Sequence, residues 1–231
     1  MLARKITNDR HVYKDVIRVP SGGIELTAEI SVPQLADGIV VLCHGTRNRR
    51  HGSANRTVAE ALTEDGIGTA VCNLLTPEEE KLDERIAGPR FDIKQLAGRL
   101  VDLTDGLLQQ EETRHLAIAY FGASTAAAAA LVAAAARPLV VRAVVSFGGL
   151  PHLAGPALDG VESPTLLLVG EHDWQIMDGN REALAKIRAP KSLQVVSGGT
   201  HLFAAPSALA EASRQAREWF RHYLSLVPVM A

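Results

Sequence analysis

The chain has 231 residues, of which 47% are hydrophobic and 22% are charged, and its formal net charge is -2 at pH 7. This length fits a single α/β domain spanning residues 1–231, and the composition is ordinary for a soluble globular protein. The small negative charge gives no general attraction to nucleic acid, and no apolar run reaches the roughly 18 residues of a membrane span.

The predicted elements begin with an antiparallel hairpin and continue as alternating strands and helices. The hairpin joins residues 12–19 to residues 24–32 around Ser21-Gly22-Gly23. The alternation that follows predicts a mostly parallel central sheet of about eight strands flanked by helices. The six later strand candidates are 39–43, 68–74, 116–121, 143–147, 165–169 and 193–196.

Helices are predicted at 91–109, 126–136 and 180–187 and in a final segment whose apolar residues recur at three- and four-residue steps. That stripe is expected to pack on the sheet; it comprises Leu209, Ala212, Ala216, Trp219, Phe220 and Tyr223. The alanine-rich helix 126–136 is expected to lie tightly against the sheet. The short segment from Phe147 to Thr165 contains prolines and glycines, so we expect no large lid domain.

The segment Gly122-Ala123-Ser124-Thr125-Ala126 places a serine between an apolar strand and a helix. A tight strand-to-helix turn of this kind is a nucleophile elbow, which exposes the serine hydroxyl beside backbone N–H groups. Gly-x-Ser-x-Ala alone occurs often by chance. The prediction that Ser124 is a nucleophile therefore depends on partners elsewhere in the chain.

Two partners follow later strands in the order that the elbow arrangement requires. Asp173 lies after the apolar run 165–170, and His201 follows a loop with two glycines after 193–196. The order Ser, Asp, His predicts Ser124 as nucleophile, His201 as general base and Asp173 as the residue that orients the histidine. Glu171 is the competing carboxylate, and the simpler alternative for His201 is a loop histidine satisfied by backbone hydrogen bonds.

An oxyanion also needs hydrogen-bond donors. The backbone N–H of Thr125 is one candidate, and Thr46, after the strand 38–43 and His44-Gly45, is the other. His44 and Gly45 are expected to shape this turn next to the substrate. Glycine there would let the backbone approach a bound oxygen closely.

These features together resemble the α/β-hydrolases of the dienelactone-hydrolase-like group, over almost the whole length of the chain. The stretches that carry the resemblance are Leu42-Cys43-His44-Gly45, Leu74-Leu75-Thr76-Pro77-Glu78-Glu79-Glu80, Arg90-Phe91-Asp92-Ile93, Tyr120-Phe121-Gly122-Ala123-Ser124-Thr125, Gly170-Glu171-His172-Asp173 and Gly199-Thr200-His201-Leu202-Phe203. The resemblance implies the α/β-hydrolase fold and a serine hydrolase that acts on a small-molecule ester or lactone. No cofactor is expected, because neither a Gly-x-Gly-x-x-Gly nor a phosphate-loop pattern appears in the sequence.

Two residues depart from the family's usual pattern. Dienelactone hydrolases proper carry cysteine at the elbow, so Ser124 argues against inheriting their substrate. Ala126 stands where the usual elbow pattern has glycine. Two alternative functions stay open: a non-catalytic binding or scaffold protein with this fold, and an acyltransferase that uses the same three residues.

Charged segments outside these motifs have simpler interpretations. Arg47 and Arg50 lie in a basic loop beyond the predicted oxyanion turn, which either selects anionic substrates or is a solvated surface loop. The acidic run 78–80 suits the amino end of a helix better than a metal site, and no histidine–cysteine spacing indicates zinc.

Cys43 and Cys72 both fall within predicted strands. Two cysteines are too few for a disulfide scaffold, so we expect them to be buried and reduced, and the protein to be cytoplasmic. The sequence does not indicate the oligomeric state or the physiological substrate.

Overall fold

The computed structural model describes residues 11–44, 49–79 and 92–225, and only the backbone of residues 49–53. Eight strands form the central sheet: β1 (Val12–Ser21), β2 (Ile24–Pro33), β3 (Gly38–His44), β4 (Gly68–Asn73), β5 (Ala117–Ala123), β6 (Val141–Phe147), β7 (Thr165–Gly170) and β8 (Lys191–Val196). Their order is β1-β2-β4-β3-β5-β6-β7-β8. The pairs β1–β2 and β2–β4 are antiparallel and all other pairs are parallel. The predicted architecture is therefore confirmed.

The hairpin between β1 and β2 turns at two glycines with positive φ. Gly22 has φ +55° and Gly23 has φ +86°, and the register closes with Ser21 opposite Ile24. A two-residue turn with positive φ at both positions matches the twist of antiparallel strands. This pair of glycines fixes the register of the antiparallel edge of the sheet.

Five α-helices have both ends in the described part of the chain: α1 (Arg49–Glu64), α2 (Ile93–Gln109), α3 (Ala126–Ala136), α4 (Met177–Lys186) and α5 (Pro206–Leu224). The helix predicted from 180 in fact begins at Met177. Gly179, a poor helix former, hides this start in the sequence. Its lack of a side chain makes room for His152, whose Nδ1 would lie 2.2 Å from a Cβ at 179.

The helices cover both faces of the sheet. Apolar residues of α2, α3 and α4 form one core cluster with one face, and those of α1 and α5 form a second cluster with the other. The stripe predicted for the final helix packs into this second cluster. The alanines of α3 from Ala126 to Ala130 are fully buried, which confirms that small side chains let this helix lie close to the sheet.

The connection between β6 and β7 is short. It contains a 3-10 helix, Pro151–Gly160, with a kink at Gly155, where φ is +56°. This interval holds no lid domain, as the sequence predicted. Within the described ranges, no helix combines the length and apolar character that crossing a membrane requires.

Candidate active site

Ser124 occupies the turn between β5 and α3 and has a strained backbone. Its φ is +54°, in the left-handed region that residues with a side chain seldom adopt. Gly122 makes the turn possible, because a Cβ there would lie 2.6 Å from Ala126 O and 2.6 Å from Ala127 Cα. Ala126 itself is fully buried at the start of α3, so its methyl group fits where the family pattern has glycine. The strand, the turn and the helix give Ser124 the geometry of a nucleophile elbow.

The end of β6 and the loop after it hold the backbone of Ser124 on both sides. The Ser124 N–H donates to Phe147 O at 3.4 Å, and the Leu150 N–H donates to Ser124 O at 3.1 Å. Gly148, between them, has φ +52°, and a Cβ on it would lie 3.2 Å from the backbone N of Leu202. The turn that carries His201 therefore lies against the same loop that supports Ser124.

His201 and Asp173 are joined by a hydrogen bond. His201 Nδ1 lies 2.8 Å from Asp173 Oδ2. Asp173 is only 7% exposed, whereas the His201 side chain is 46% exposed. A histidine that donates its Nδ1–H to a carboxylate carries no proton on Nε2, on the opposite side of the ring. This is the tautomer that a general base for a serine requires.

The structure resolves the choice between the two carboxylates after β7. Glu171 Oε2 accepts the Gly198 N–H at 2.8 Å and the Ser197 hydroxyl at 3.0 Å, whereas the carboxylate partner of His201 Nδ1 is Asp173. The Gly198 N–H, with the Ser197 hydroxyl, lowers the pKa of Glu171. Asp173 is the hydrogen-bond partner of His201. Glu171 binds Ser197 and Gly198, at the start of the loop between β8 and His201.

Two left-handed residues follow His201. Leu202 has φ +56° and Phe203 has φ +54°, a conformation that persists only where the surroundings fix it. Phe203 is fully buried, and its ring centroid lies 4.5 Å from that of Phe147, which in turn lies 4.9 Å from Phe121. Through this aromatic cluster, the turn that carries His201 packs against β5 and β6, the strands that contain Phe121 and Phe147.

The cysteine nearest this region is not a competing nucleophile. Cys43 is fully buried beside β5, and its Sγ donates to Phe121 O at 3.4 Å. Burial raises the pKa of the Cys43 thiol to about 12. The thiol is therefore neutral at physiological pH, and the thiolate is the reactive form. Cys72 is buried as well, as the sequence predicted.

The predicted oxyanion and substrate residues are placed only in part. Gly45, Thr46 and Arg47 lie outside the described residues. The prediction that Arg50 lies in a loop was wrong, because helix α1 already begins at Arg49; the Arg50 side chain is outside the described part. His44 ends β3, and its carbonyl accepts the Leu74 N–H at 3.0 Å. Thr125 occupies the N-cap position of α3 without a side-chain capping bond, and backbone N–H groups at such a helix start have no partner within the helix.

The described part of the acidic run, Glu78 and Glu79, lies at a helix start, as predicted, and Glu79 also has a partner that the sequence did not reveal. Thr76 Oγ1 accepts the Glu79 N–H at 3.2 Å, and Glu79 accepts the Thr76 N–H at 2.8 Å, which is a capping box. Glu79 also binds Arg99 of α2 through two bonds of 2.6 and 2.7 Å. Glu80 lies outside the described residues. No local pattern joins positions 79 and 99.

Comparison with known proteins identifies the same architecture. The chain is 44% identical to a solved dienelactone hydrolase from Anabaena variabilis, with a TM-score of 0.86, covering 92% of this chain and 98% of that one. A lidless α/β serine hydrolase from Xanthomonas campestris shares the fold at 17% identity and a TM-score of 0.70, covering 93% and 97% of the two chains. No protein-family model matches the chain.

Two curated relatives from Mycobacterium tuberculosis, strains CDC 1551 / Oshkosh and H37Rv, are each 45% identical over 216 residues. Both carry a provisional phosphoribosyl transferase name. The match covers 94% of this chain and 48% of each relative, so the chain spans about half the length of these relatives.

The fold and the elbow define an α/β-hydrolase. The chain belongs to the dienelactone-hydrolase-like family of α/β-hydrolases, since it matches a solved member at 44% identity over nearly all of that member's length. This family membership supports hydrolase activity.

Proposed function

We propose that the protein is a serine hydrolase that cleaves carboxylic esters, including lactones or thioesters, through an acyl-enzyme intermediate. The observation that carries the proposal is the 2.8 Å bond between His201 Nδ1 and Asp173 Oδ2, on a turn packed against the loop that supports Ser124. A general base oriented in this way beside an elbow serine is the arrangement that acyl transfer to serine requires.

In the proposed mechanism, Ser124 Oγ attacks the substrate carbonyl while His201 Nε2 takes its proton. Asp173 keeps the ring oriented and stabilises the imidazolium that forms. The backbone N–H groups of Thr125 and Thr46 hold the oxyanion of the tetrahedral intermediate. His201 then returns the proton to the leaving alkoxide, the acyl-enzyme remains on Ser124, and a water activated by His201 releases the acid.

Labelling with a fluorophosphonate probe tests this proposal, because such a probe reacts with an activated serine. We expect one adduct, on Ser124, in the wild type and in the control Ser207→Ala, whose serine is exposed at the start of α5. Ser124→Ala should lose the adduct and lower turnover of a simple aryl ester by a factor on the order of a million. Near wild-type turnover in Ser124→Ala would refute the assignment, and no adduct in the wild type would favour a scaffold role.

The open alternatives are separated by the acceptor and by the substrate. Adding an alcohol or amine to an assay with a labelled acyl substrate distinguishes an acyltransferase, because the same acyl-enzyme would pass its acyl group to the added acceptor.

Phosphoribosyl transfer is a further alternative function, suggested by the name of the two mycobacterial relatives. We favour hydrolysis because the solved dienelactone hydrolase is matched over 98% of its length, whereas those relatives are matched over 48%. Release of pyrophosphate from phosphoribosyl pyrophosphate by the purified chain would reverse this preference.

A further inference from the structure

The position of Ser124 depends on the end of β6 and on the loop that follows it. Residues 147 and 150 bond both backbone groups of the serine. Gly149, between them, passes so close to its neighbours that a Cβ on it would lie 2.2 Å from Ser146 Oγ and 2.5 Å from Ala127 Cβ. Gly149 has no side chain that could anchor this loop, so an anchor at this position has to bind its backbone.

A buried amide of α4 provides that anchor. Asn180 is fully buried, and its Nδ2 donates to Gly149 O at 3.0 Å and to Ile176 O at 2.9 Å. Both neighbours are carbonyl oxygens, so the amide must turn its nitrogen toward them. Ile176 also donates its N–H to Asp173 O at 3.3 Å. One side chain thus connects the loop that supports the nucleophile with the turn that follows the acid.

Packing alone does not account for an asparagine at this position. Asn180 Oδ1 is buried and has no hydrogen-bond partner among the residues that the structure describes. A buried acceptor without a partner costs free energy, and an apolar residue of similar size would avoid that cost. The two bonds donated by Nδ2 are what distinguish asparagine from such a residue.

We propose that Asn180 is a positioning residue for the reaction, which keeps the turn at Ser124 and the turn at Asp173 in a fixed position relative to each other. The inference rests on the proposed function, because it concerns the rate at which Ser124 is activated. Small displacements of reacting groups cost up to about 100-fold in rate. Asn180 does not touch substrate in this scheme, so the loss should fall on kcat and leave KM unchanged.

The test uses Asn180→Leu, which removes the donor and the unpaired oxygen together, and Asn180→Asp, which keeps the shape. The control is Ser163→Ala. Ser163 is also buried and donates to a backbone carbonyl, Val141 O at 2.8 Å, but at the opposite end of the parallel strands. Aryl-ester kcat and KM, the rate of fluorophosphonate labelling and Tm are measured for each protein.

We expect kcat and the labelling rate to fall together by about 10- to 100-fold in Asn180→Leu, with KM unchanged. Ser163→Ala should lower Tm and keep the wild-type kcat. In Asn180→Asp, a buried carboxyl facing two carbonyl oxygens is favoured in its protonated form, which can donate one bond. The ratio of its kcat to that of the wild type should therefore rise when the pH is lowered from about 8 to about 6.

Wild-type labelling rates in folded Asn180→Leu would overturn the proposal. Should the leucine variant not fold, Asn180→Asp decides, because a ratio to wild type that does not change with pH also overturns it. A drop in Tm with unchanged kcat would assign Asn180 to stability alone. Failure of the proposed function gives a different result, since the wild type itself would then carry no adduct on Ser124.

Discussion

Gly122→Ala tests whether the elbow requires close contact between β5 and α3. The new Cβ would lie 2.6 Å from Ala126 O, 2.6 Å from Ala127 Cα and 2.7 Å from Ala127 N, whereas real Cβ contacts under 3.0 Å are essentially never seen. Every contacting atom is backbone, so the helix would have to shift by about 0.4 Å. The helix cannot shift freely, because Ala126 to Ala130 are fully buried.

The expected cost follows from two opposing terms. Overpacking a core costs about 1–3 kcal/mol, and contacts with backbone favour the upper end. Losing a glycine restricts the unfolded chain and returns about 0.4–1 kcal/mol. The net decrease in the free energy of unfolding should be about 2 kcal/mol, or about 4–8 °C in Tm for a chain of this size. Turnover should fall by up to about 100-fold, since Ser124 moves with the helix.

Gly98→Ala is the matched control. Gly98 lies on the exposed side of α2, and a Cβ there meets nothing within 4 Å. Alanine in a helix is favoured over glycine, so Gly98→Ala should raise the free energy of unfolding by about 0.8–1 kcal/mol and leave turnover unchanged. Urea denaturation and aryl-ester turnover measure both effects. A Gly122→Ala protein as stable and as active as the wild type would show that β5 and α3 do not constrain the elbow.

Two further predictions concern carboxylates with lowered pKa. Glu79→Gln removes the countercharge from Arg99, which is 5% exposed, and should lower the free energy of unfolding by about 2–3 kcal/mol in urea denaturation. The hydrogen bond from Arg99 lowers the pKa of Glu79. The stability that the ionised Glu79 contributes is therefore present above the ordinary glutamate pKa and is lost as the pH falls through the lowered pKa. Glu79→Gln should accordingly lose less stability in acid than the wild type does. Glu171→Gln weakens the bonds to Gly198 and Ser197 and should lower kcat by less than about tenfold at neutral pH, while the exposed Glu162→Gln leaves it unchanged. An equal acid profile for Glu79→Gln, or an unchanged kcat for Glu171→Gln, contradicts the corresponding prediction.

The local pattern predicted the elements well where periodicity and glycines specify them. The hairpin glycines, the apolar runs of the parallel strands and the elbow motif each act over a few residues, so the sequence indicates them directly. Element ends were less well predicted. The start of α4 was missed by three residues, because the reason for Gly179 is a histidine 27 positions away.

The sequence by itself determined the α/β-hydrolase architecture, the serine on a strand-to-helix turn and the order of the serine, the acid and the histidine. The sequence favoured Asp173 over Glu171, two residues away, and the tertiary structure supplied the contact between Asp173 and His201 and the different partners of Glu171. Only the tertiary structure decided the contacts of Arg99 with Glu79 and of Asn180 with Gly149. These contacts join residues that are distant in the chain, and their partners are set by how strands, helices and loops pack together.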